Sequence, residues 1–368
     1  MAHLLFLENN VQSSPGNPLN HNPTNDTTML ACFLDAPKRV AVRDVPIPKI
    51  ARGDILVKME ASGVCGTDLE KIDGQLGPGG ILGHEVSGTI EKIADDITDY
   101  KPGERVVAHH HVPCYHCSDC YNGNFTLCLE FKKTNIEPCG FAEYFRVPEI
   151  NVARGAVVPL PPKLSFEEGA MIEPTACCIR AIRRANVQRS DNVLVVGLGP
   201  TGLTQIQLLR QATTGKIIAS DIIDARLGLG KKLSADHTLN ALTEDVPAQV
   251  REIAREGVDL AVVSTGNEKA LNQAFSSVRK GGRILLFGAP AQGASYQLNV
   301  SDLFSRQITI LSSYSCVESE MGEAIKLVAE KRLDLASLVS HRFKLKDAEK
   351  AMEFAKTSKT AIKTIVVS

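Results

Sequence analysis

The chain has 368 residues, which exceeds the usual size of a single hydrophobic core and predicts two domains. Its 41 basic and 42 acidic residues give a formal net charge of −1, so no basic field is available to hold a nucleic acid. Hydrophobic residues make up 43% of the chain, but no apolar run approaches the roughly 20 residues that a membrane span requires, and we expect a soluble globular protein.

The first residues of the chain have a composition typical of a disordered segment. Residues 12–28 are rich in Asn, Pro, Ser and Thr and carry almost no large apolar side chains, so they cannot offset the entropy cost of ordering. We therefore predict a disordered tail over residues 1–28. Residues 1–7 lack the basic segment of a secretion signal, and we expect a cytoplasmic protein.

The next part of the chain has the pattern of a β domain. From residue 29 to about residue 173, short β-branched runs alternate with Gly, Pro and Asp, which is typical of an irregular, mainly antiparallel sheet. The strands predicted here include residues 29–34, 55–59, 86–93 and 105–108.

Beyond residue 190 the pattern changes to buried strands separated by helical stretches. Parallel neighbours require a crossover of a dozen or more residues, so this alternation predicts a doubly wound α/β domain with a parallel sheet. Its predicted strands are residues 193–196, 216–221, 258–264, 283–288 and 308–312. Two amphipathic helices at residues 319–330 and 345–355 and a final strand at residues 361–367 are expected to return to the first domain.

Three separated elements of the β domain carry candidate metal ligands: Cys65, the pair His84 and Glu85, and Glu173. A thiolate, an imidazole and a carboxylate are three protein ligands, and they leave a fourth position for water or substrate, as in a catalytic zinc site. Taken alone, His84 and Glu85 could be an ordinary turn, and Glu173 an acid at the start of a helix.

Ten cysteines are present, and four of them form one short run within residues 109–130. Cys114, Cys117, Cys120 and Cys128 follow the spacing C-x2-C-x2-C-x7-C. Four thiolates surround one Zn²⁺ tetrahedrally and leave no open position, which predicts a structural site. An iron–sulfur cluster and free or disulfide-paired cysteines are the alternatives. The neighbouring histidines at positions 109–111 and 116 are interpreted as strand-end and loop residues beside this lobe.

The second domain opens with a glycine motif. Strand 193–196 runs into Gly197-Leu-Gly199-Pro200-Thr201-Gly202, and a helical stretch follows. Such glycines permit a tight turn, close approach of the backbone to a pyrophosphate, and packing of helix on strand. The alternative is a glycine turn that binds another nucleotide or none.

The next predicted strand ends at Asp221, close to the spacing at which an acid meets the ribose hydroxyls of a dinucleotide. A carboxylate there repels a 2′-phosphate, so NAD is favoured over NADP. Arg226 is the opposing feature, because a nearby guanidinium can accommodate the phosphorylated cofactor.

Residues 29–368 resemble the zinc-containing medium-chain dehydrogenases. The motifs that carry the resemblance, in the family's order, are Gly63-Val-Cys65-Gly-Thr67-Asp68, Gly83-His84-Glu85, the four cysteines, Gly140-Phe-Ala-Glu-Tyr144, Ile172-Glu173-Pro174 and the Gly197 to Gly202 turn. Glu173-Pro174 is similar to the polyol, sugar and threonine dehydrogenase branch. The resemblance implies a GroES-like domain (residues 29–178 and 317–368), a Rossmann domain (residues 179–316), and a dimer or tetramer.

The resemblance also implies roles for individual residues. Cys65, His84 and Glu85 would bind a catalytic zinc, with Glu173 exchanging with Glu85 or with water, so that each chain would hold two zinc ions. Thr67 would be the first hydroxyl of a proton relay. Two positions depart from the family. Glu70 stands where many relatives carry a histidine of the relay, so that either its carboxylate would accept the proton or the path would run through water, and Cys139 replaces a common glycine.

The resulting hypothesis is an enzyme that transfers a hydride between a secondary alcohol and NAD. Within enzymes, the alternative is an NAD(P)H-dependent aldehyde or semialdehyde reductase that uses the same site in the opposite direction. From another class, the alternative is a nucleotide-binding member of the family without turnover.

Overall fold

The computed structural model describes residues 27–75 and 81–368. The predicted tail lies outside the described residues except for its last two positions, and Thr28 already begins the first strand. The first half of the described chain contains strands β1 (Thr28–Ala36), β2 (Arg39–Pro46), β3 (Ile55–Gly63), β4 (Glu85–Ile93), β5 (Arg105–Ala108), β6 (Tyr144–Val147) and β7 (Val157–Pro159). The second half contains strands β8 (Val193–Val196), β9 (Ile217–Asp221), β10 (His237–Asn240), β11 (Val258–Val263), β12 (Val278–Leu286), β13 (Thr309–Ser312), β14 (Val339–Lys344) and β15 (Lys363–Val367).

The α-helices of the described residues are mostly short. They are α1 (Gly66–Ile72), α2 (Ser118–Tyr121), α3 (Glu149–Ala153), α4 (Phe166–Ala170), α5 (Ile172–Arg184), α6 (Pro200–Ala212), α7 (Asp224–Lys232), α8 (Val246–Ala254), α9 (Glu268–Ser277), α10 (Val300–Ser305), α11 (Glu318–Ala329) and α12 (Ala348–Thr357). None of these helices has the length and apolar content needed to cross a membrane.

The second half of the chain forms the predicted parallel sheet. Its six strands lie in the order β10-β9-β8-β11-β12-β13, and each neighbouring pair is parallel. The chain therefore enters at the middle of the sheet, winds outward to one edge and then crosses to fill the other side. This is the doubly wound order of a Rossmann fold, which binds ligands where the direction of winding reverses, between β8 and β11.

Strands β3 to β7 of the first half, together with β14 and β15 from the second, form a seven-stranded sheet that is antiparallel except at one edge. Its order is β14-β15-β3-β4-β5-β7, and β6 also pairs with β3. Strand β15, from the end of the described chain, pairs antiparallel to β3 with Ile365 opposite Gly63. The fold class predicted from the sequence, a mainly antiparallel domain joined to a parallel α/β domain, is confirmed.

Several predicted strands differ from the structure at their ends. Strand 105–108 matches β5, but strand 55–59 continues to Gly63 as β3. The extra residues include Glu60 and Ser62, which interrupt the apolar pattern. Residues 61–63 remain in the strand because β4 pairs with them on one side and β15 on the other, and Glu60 lies at the irregularity in the β4 register between Met59 and Ala61. Backbone pairing with distant segments thus overrides the local sequence pattern.

Helix α5 joins the two sheets. One buried hydrophobic cluster contains Ala61 and Val107 of the antiparallel sheet, Val195 and Leu260 of the parallel sheet, and Ile172 at the start of α5. The core is therefore continuous across both halves, and residues at the start of α5 are fixed relative to both.

Candidate active site

Cys65, His84 and Glu85 converge at one end of the antiparallel sheet. Cys65 follows β3, His84 precedes β4, and Glu85 begins β4, where it lies directly opposite Gly63. The ligand atoms of the three side chains all lie within 4.8 Å of one another. Sulfur, imidazole nitrogen and carboxylate oxygen are all ligands that Zn²⁺ accepts. The three residues that the sequence placed at separate positions are thus one cluster.

Asp68 holds this cluster in place. Its Oδ2 accepts a hydrogen bond of 3.1 Å from the Cys65 backbone N–H, and its Oδ1 accepts one of 2.9 Å from the Gly83 N–H. Oδ1 also lies 3.6 Å from His84 Nδ1. Burial acts to raise the pKa of the Asp68 carboxyl, but His84 and the Gly83 amide lower it below its usual range. The carboxylate therefore orients the imidazole from behind, the arrangement common for metal-bound histidines.

Lys363 of β15 forms an ion pair with Glu85. Its ammonium donates to Glu85 Oε2 and, at 3.0 Å, to the Val64 carbonyl. The two side chains are 2% and 1% exposed. Burial acts to lower the pKa of Lys363, but the Glu85 carboxylate outweighs it and raises the pKa. Glu85 thus has a cationic partner inside the site.

Thr67 and Glu70 lie three positions apart on α1 and therefore on the same side of the helix. Thr67 is half-buried, and Glu70 Oε2 is buried without a hydrogen-bond partner among the described residues. Burial raises the pKa of the Glu70 carboxyl above its ordinary value. A hydroxyl followed by a carboxyl of raised pKa is suited to passing a proton along the helix.

The glycine motif has the geometry of a dinucleotide-binding turn. Gly197 has φ +94°, a conformation that side chains rarely adopt, and a Cβ at Gly202 would lie 2.0 Å from the Gly197 carbonyl oxygen. A Cβ at Gly199 would meet nothing within 4 Å, so space is open beside this residue. Pro200 begins α6 directly after Gly199, and the first amides of that helix face the open space that a phosphate would use.

Asp221 lies at the end of β9 beside this turn. Its Oδ2 accepts a hydrogen bond of 2.6 Å from the Leu198 N–H, and its Oδ1 accepts from the Ile222 N–H at 2.7 Å. The carboxylate is therefore fixed next to the glycine motif. The Arg226 side chain is bound elsewhere: its Nη2 donates a hydrogen bond of 2.8 Å to the Ala361 carbonyl.

Helix α5 connects the glycine turn to the cysteine and histidine cluster. Cys178 Sγ donates to the Thr201 carbonyl at 3.7 Å. Glu173 lies five residues earlier on the same helix, which corresponds to about 7.5 Å along its axis. The carboxylate and the dinucleotide turn are therefore near neighbours, with the helix holding their separation constant.

Glu173 itself is grouped with other side chains. Its ligand atoms lie within 4.8 Å of those of Cys177 and Cys316, and also of His109 and His110. In the described residues, no such set joins it to Cys65 and His84 together. Burial raises the pKa of the Glu173 carboxyl, although the His84 charge opposes this.

The four cysteines of the predicted lobe also come together. The ligand atoms of Cys114, Cys117, Cys120 and Cys128 all lie within 4.8 Å of one another. The Sγ atoms of Cys117 and Cys120 are 3.6 Å apart, and Cys128 Sγ accepts from the Cys114 N–H at 3.3 Å. Four sulfurs at these separations fit one tetrahedral zinc with no open position. His116 stays outside the set and bonds the Cys114 carbonyl at 2.7 Å.

Comparison with known proteins identifies the family. The model of the alcohol dehydrogenase GroES-like domain matches residues 51–161, and that of the zinc-binding dehydrogenases matches residues 200–330. Sorbitol dehydrogenase of Bacillus subtilis (strain 168) is 30% identical over 336 residues, covering 89% of this chain and 93% of the relative. The chain belongs to the zinc-containing medium-chain dehydrogenases.

Solved structures of the family have the same fold. Alcohol dehydrogenase TADH from Thermus sp. ATN1 has a TM-score of 0.82 and 29% identity, and the match covers 92% of this chain and 99% of that one. A protein from Sinorhizobium meliloti 1021, solved bound to NADP, has a TM-score of 0.83 and 27% identity over 93% of this chain and 99% of that one.

Sequence analysis of this medium-chain dehydrogenase missed several residues of the site. Lys363 was overlooked, although a lysine within an otherwise apolar final strand is a signal that a buried partner exists. The histidines at positions 109–111 were interpreted as belonging beside the cysteine lobe. His109 and His111 do pack on Phe131 next to that lobe, but His109 is fully buried and His110 packs against His84, with the rings tilted by 45° and their centroids 4.9 Å apart.

Cys139, the second departure from the family, is accommodated without disturbing its loop. Its side chain is 1% exposed, and its Sγ lies 3.4 Å from the Cys32 carbonyl that accepts its hydrogen bond. The glycine that follows is the critical residue, because a Cβ at Gly140 would lie 2.6 Å from the Gly83 backbone beside His84. The loop therefore supports the site through Gly140, and Cys139 fills the core behind it.

Proposed function

We propose that this chain is a zinc-dependent oxidoreductase that transfers a hydride between a secondary alcohol and a nicotinamide cofactor. The observation that carries the proposal is the cluster of Cys65, His84 and Glu85, with ligand atoms within 4.8 Å of one another. Three protein ligands of this kind leave a coordination position for substrate, whereas a structural zinc has four.

Two zinc ions per chain are part of the proposal. Cys65, His84 and Glu85 would hold the catalytic ion, with Glu173 able to replace Glu85, and the four-cysteine lobe would hold the structural one. When bound, the catalytic ion supplies a Lewis acid that lowers the pKa of an alcohol. Asp68 fixes the His84 ring for this purpose. Lys363 neutralises Glu85 when that carboxylate is not a ligand, which makes the proposed exchange with Glu173 feasible.

The proton of the alcohol leaves through side chains of α1 in this scheme. Thr67 takes the proton at its hydroxyl oxygen and passes its own proton onward. Glu70, three residues later, accepts it at the buried Oε2 that has no other partner among the described residues. The carboxylate thus takes the place of the histidine that many relatives carry.

The cofactor is proposed to bind at the turn from Gly197 to Gly202, with its pyrophosphate in the open space beside Gly199. Pro200 and Thr201 begin the helix whose amides face the phosphates. Asp221 would bind the ribose hydroxyls, and its charge favours NAD over NADP. Arg226 supports the same preference, since its side chain is engaged with the Ala361 carbonyl.

Polyols and sugars are the substrate class that we favour, because the relative described above is a sorbitol dehydrogenase. We also propose the domain division at residues 29–178 with 317–368 and 179–316, and assembly into dimers or tetramers in the cytoplasm. Support for assembly comes from Phe304 and Val300 of α10, which are 82% and 70% exposed close in sequence to the edge strand β13. Exposed apolar residues in such a position favour contact between chains.

The test combines activity with metal content. A panel of polyols, sugars, threonine and simple alcohols is assayed by NADH absorbance with wild-type protein, Cys65→Ser and, as a control, Cys32→Ala, whose buried thiol belongs to none of the groups of metal-binding side chains among the described residues. Wild type and Cys32→Ala should oxidise at least one secondary alcohol, and Cys65→Ser should not. Full turnover by a correctly folded Cys65→Ser protein would exclude the proposed site.

A further inference from the structure

A second group of metal-binding side chains lies next to the proposed catalytic cluster. It consists of His109, Glu173, Cys177 and Cys316, which we call the thiol cluster. His109 follows β5, Glu173 and Cys177 lie one turn apart on α5, and Cys316 follows β13. Three elements from both halves of the molecule therefore place sulfur, nitrogen and oxygen ligands at one point.

The separations within the thiol cluster suit a bound ion. Cys316 Sγ lies 3.7 Å from His109 Nε2, and Cys177 Sγ lies 3.4 Å from Glu173 Oε1. The ligand atoms of Glu173, Cys177 and Cys316 are all within 4.8 Å of one another. Ligands bound to one tetrahedral zinc at ordinary bond lengths are about 3.3 to 3.8 Å apart, so small side-chain movements would complete the shell.

Burial of the thiol cluster favours a cation there. His109 and Cys316 are fully buried, and Glu173 is 7% exposed. A buried carboxylate next to two thiols is costly unless a positive charge or hydrogen bonds compensate it. Two sulfurs, an imidazole and a carboxylate form a donor set that soft or borderline divalent ions prefer over Mg²⁺ or Ca²⁺.

The orientation of His109 supplies independent support. Its Nδ1 lies 3.8 Å from Glu318 Oε1, too far for a hydrogen bond, and both buried atoms lack a hydrogen-bond partner among the described residues. The other oxygen of Glu318 accepts from the Tyr115 hydroxyl. A carboxylate behind one ring nitrogen leaves the opposite nitrogen to bind metal, as is usual for metal-bound histidines.

We propose that His109, Glu173, Cys177 and Cys316 form an additional binding site for Zn²⁺ or Cd²⁺, separate from the Cys65 cluster and from the four-cysteine lobe. Glu173 is the residue that both neighbouring sites can use. An ion in the thiol cluster therefore competes for the carboxylate that would otherwise exchange with Glu85. Binding of the ion does not require turnover, whereas its competition for Glu173 rests on the proposed function.

The first test measures Cd²⁺ content and thiolate-to-metal absorption of the full chain. Relative to the parent, Cys177→Ser/Cys316→Ser should lose one ion and two thiolate–metal bonds. Cys178→Ser is the control on the same helix: its fully buried thiol faces the Thr201 carbonyl instead of the cluster, and the variant should keep the full metal content. Equal content and absorption in the parent and the double variant would overturn the proposal.

The proposed function is examined separately in the same experiment. Cys65→Ser/His84→Ala should lose one ion and one thiolate–metal bond, and the further loss caused by Cys177→Ser/Cys316→Ser should be the same in this background. Glu318→Gln should weaken binding at the thiol cluster by about 10- to 100-fold if His109 is a ligand. An unchanged affinity in Glu318→Gln would count against that role of His109.

A measurement on wild-type protein tests the site without depending on correct folding of the double variant. Cd²⁺ should protect Cys177, the partly exposed thiol of the cluster, from alkylation in the folded chain, as read by mass spectrometry of its peptide. The reactivity of Cys178 should not depend on the metal. Alkylation of Cys177 at the same rate with and without Cd²⁺ would refute the site.

Discussion

Lys363 and Glu85 form an ion pair that is almost completely buried although 278 residues separate them in the chain. The pair joins the last strand of the antiparallel sheet to the first residue of β4, beside Cys65 and His84. Because of this position, we expect the pair to affect both the stability of the sheet and the proposed chemistry of the site.

Removing the lysine should destabilise the protein strongly. Lys363→Met leaves the Glu85 carboxylate buried without its partner, and we expect a loss of about 3 to 5 kcal/mol in the free energy of unfolding. Lys363→Met/Glu85→Gln should recover much of that loss, because the unpaired charge is gone. Urea unfolding of wild type, Lys363→Met, Glu85→Gln and the double variant gives the four free energies of a double-mutant cycle. Strictly additive effects would exclude coupling between the two residues.

Substitutions should distinguish the roles of Thr67 and Glu70 in the proposed proton relay. Thr67→Ala is expected to lower turnover by about 10²- to 10⁴-fold, the contribution of a positioned proton-transfer group. Glu70→Gln should also lower turnover, whereas Glu70→His should restore most of it by supplying the residue that many relatives carry. Substrate affinity, measured alongside, should change little.

The relay also predicts a pH dependence. Burial raises the pKa of Glu70, and the carboxyl accepts a proton only when ionised, so alcohol oxidation should increase as pH rises through that pKa. In Glu70→His the acidic limb of the pH–rate profile should move to higher pH, toward the ordinary histidine value of about 6.5. A profile that is identical in both proteins would place the proton acceptor elsewhere.

Asp221 should control the choice of cofactor. Asp221→Ser removes the charge that opposes a 2′-phosphate, so the ratio of NADPH to NADH affinity should rise about tenfold or more. The Leu198 and Ile222 amides lose acceptors in this variant, and some weakening of both cofactors is expected. Asp221→Asn keeps an acceptor oxygen and serves as the comparison. Calorimetric titration gives both affinities, and an unaltered ratio in Asp221→Ser would contradict the assignment.

The four-cysteine lobe should behave as a structural element. Cys117→Ser should lose one zinc per chain and lower the melting temperature, while the affinity for NADH stays close to that of wild type, since the lobe lies outside the glycine motif. Metal analysis and thermal unfolding, with Cys32→Ala as the control, check this. Retention of the full zinc content in Cys117→Ser would show that the lobe does not hold the metal with four sulfurs.

The sequence was sufficient for the parts of the molecule that are local in the chain. The strand, glycine turn and helix from Val193 onward are contiguous, and their geometry follows from three glycines and one proline. The four cysteines lie within fifteen residues, so one loop must bring them together. The clustering of Cys65 with His84 and Glu85 was predicted because the family motifs occur in order, since spacing alone left the three elements ambiguous.

What the sequence did not reveal depends on contacts between distant elements. Lys363 reaches Glu85 only because β15 pairs with β3. Cys316 and His109 meet because the loop after β13 returns beside the end of β5. Histidines and cysteines at such positions have no periodic or motif signal of their own, and the lysine of the final strand signals a buried partner without identifying it. The topology of two sheets joined by α5 decides where these residues lie.

The pairing of β15 with β3 has a consequence for synthesis on the ribosome. Residues between Glu85 and Lys363 include the whole parallel sheet, and their translation takes roughly 15 to 55 s at ordinary elongation rates. During this interval β3 is not yet paired with β15, and the Glu85 carboxylate lacks the Lys363 ammonium. The parallel sheet can therefore form before the antiparallel sheet is complete, and the cluster of Cys65, His84 and Glu85 would be the last part of the molecule to be assembled.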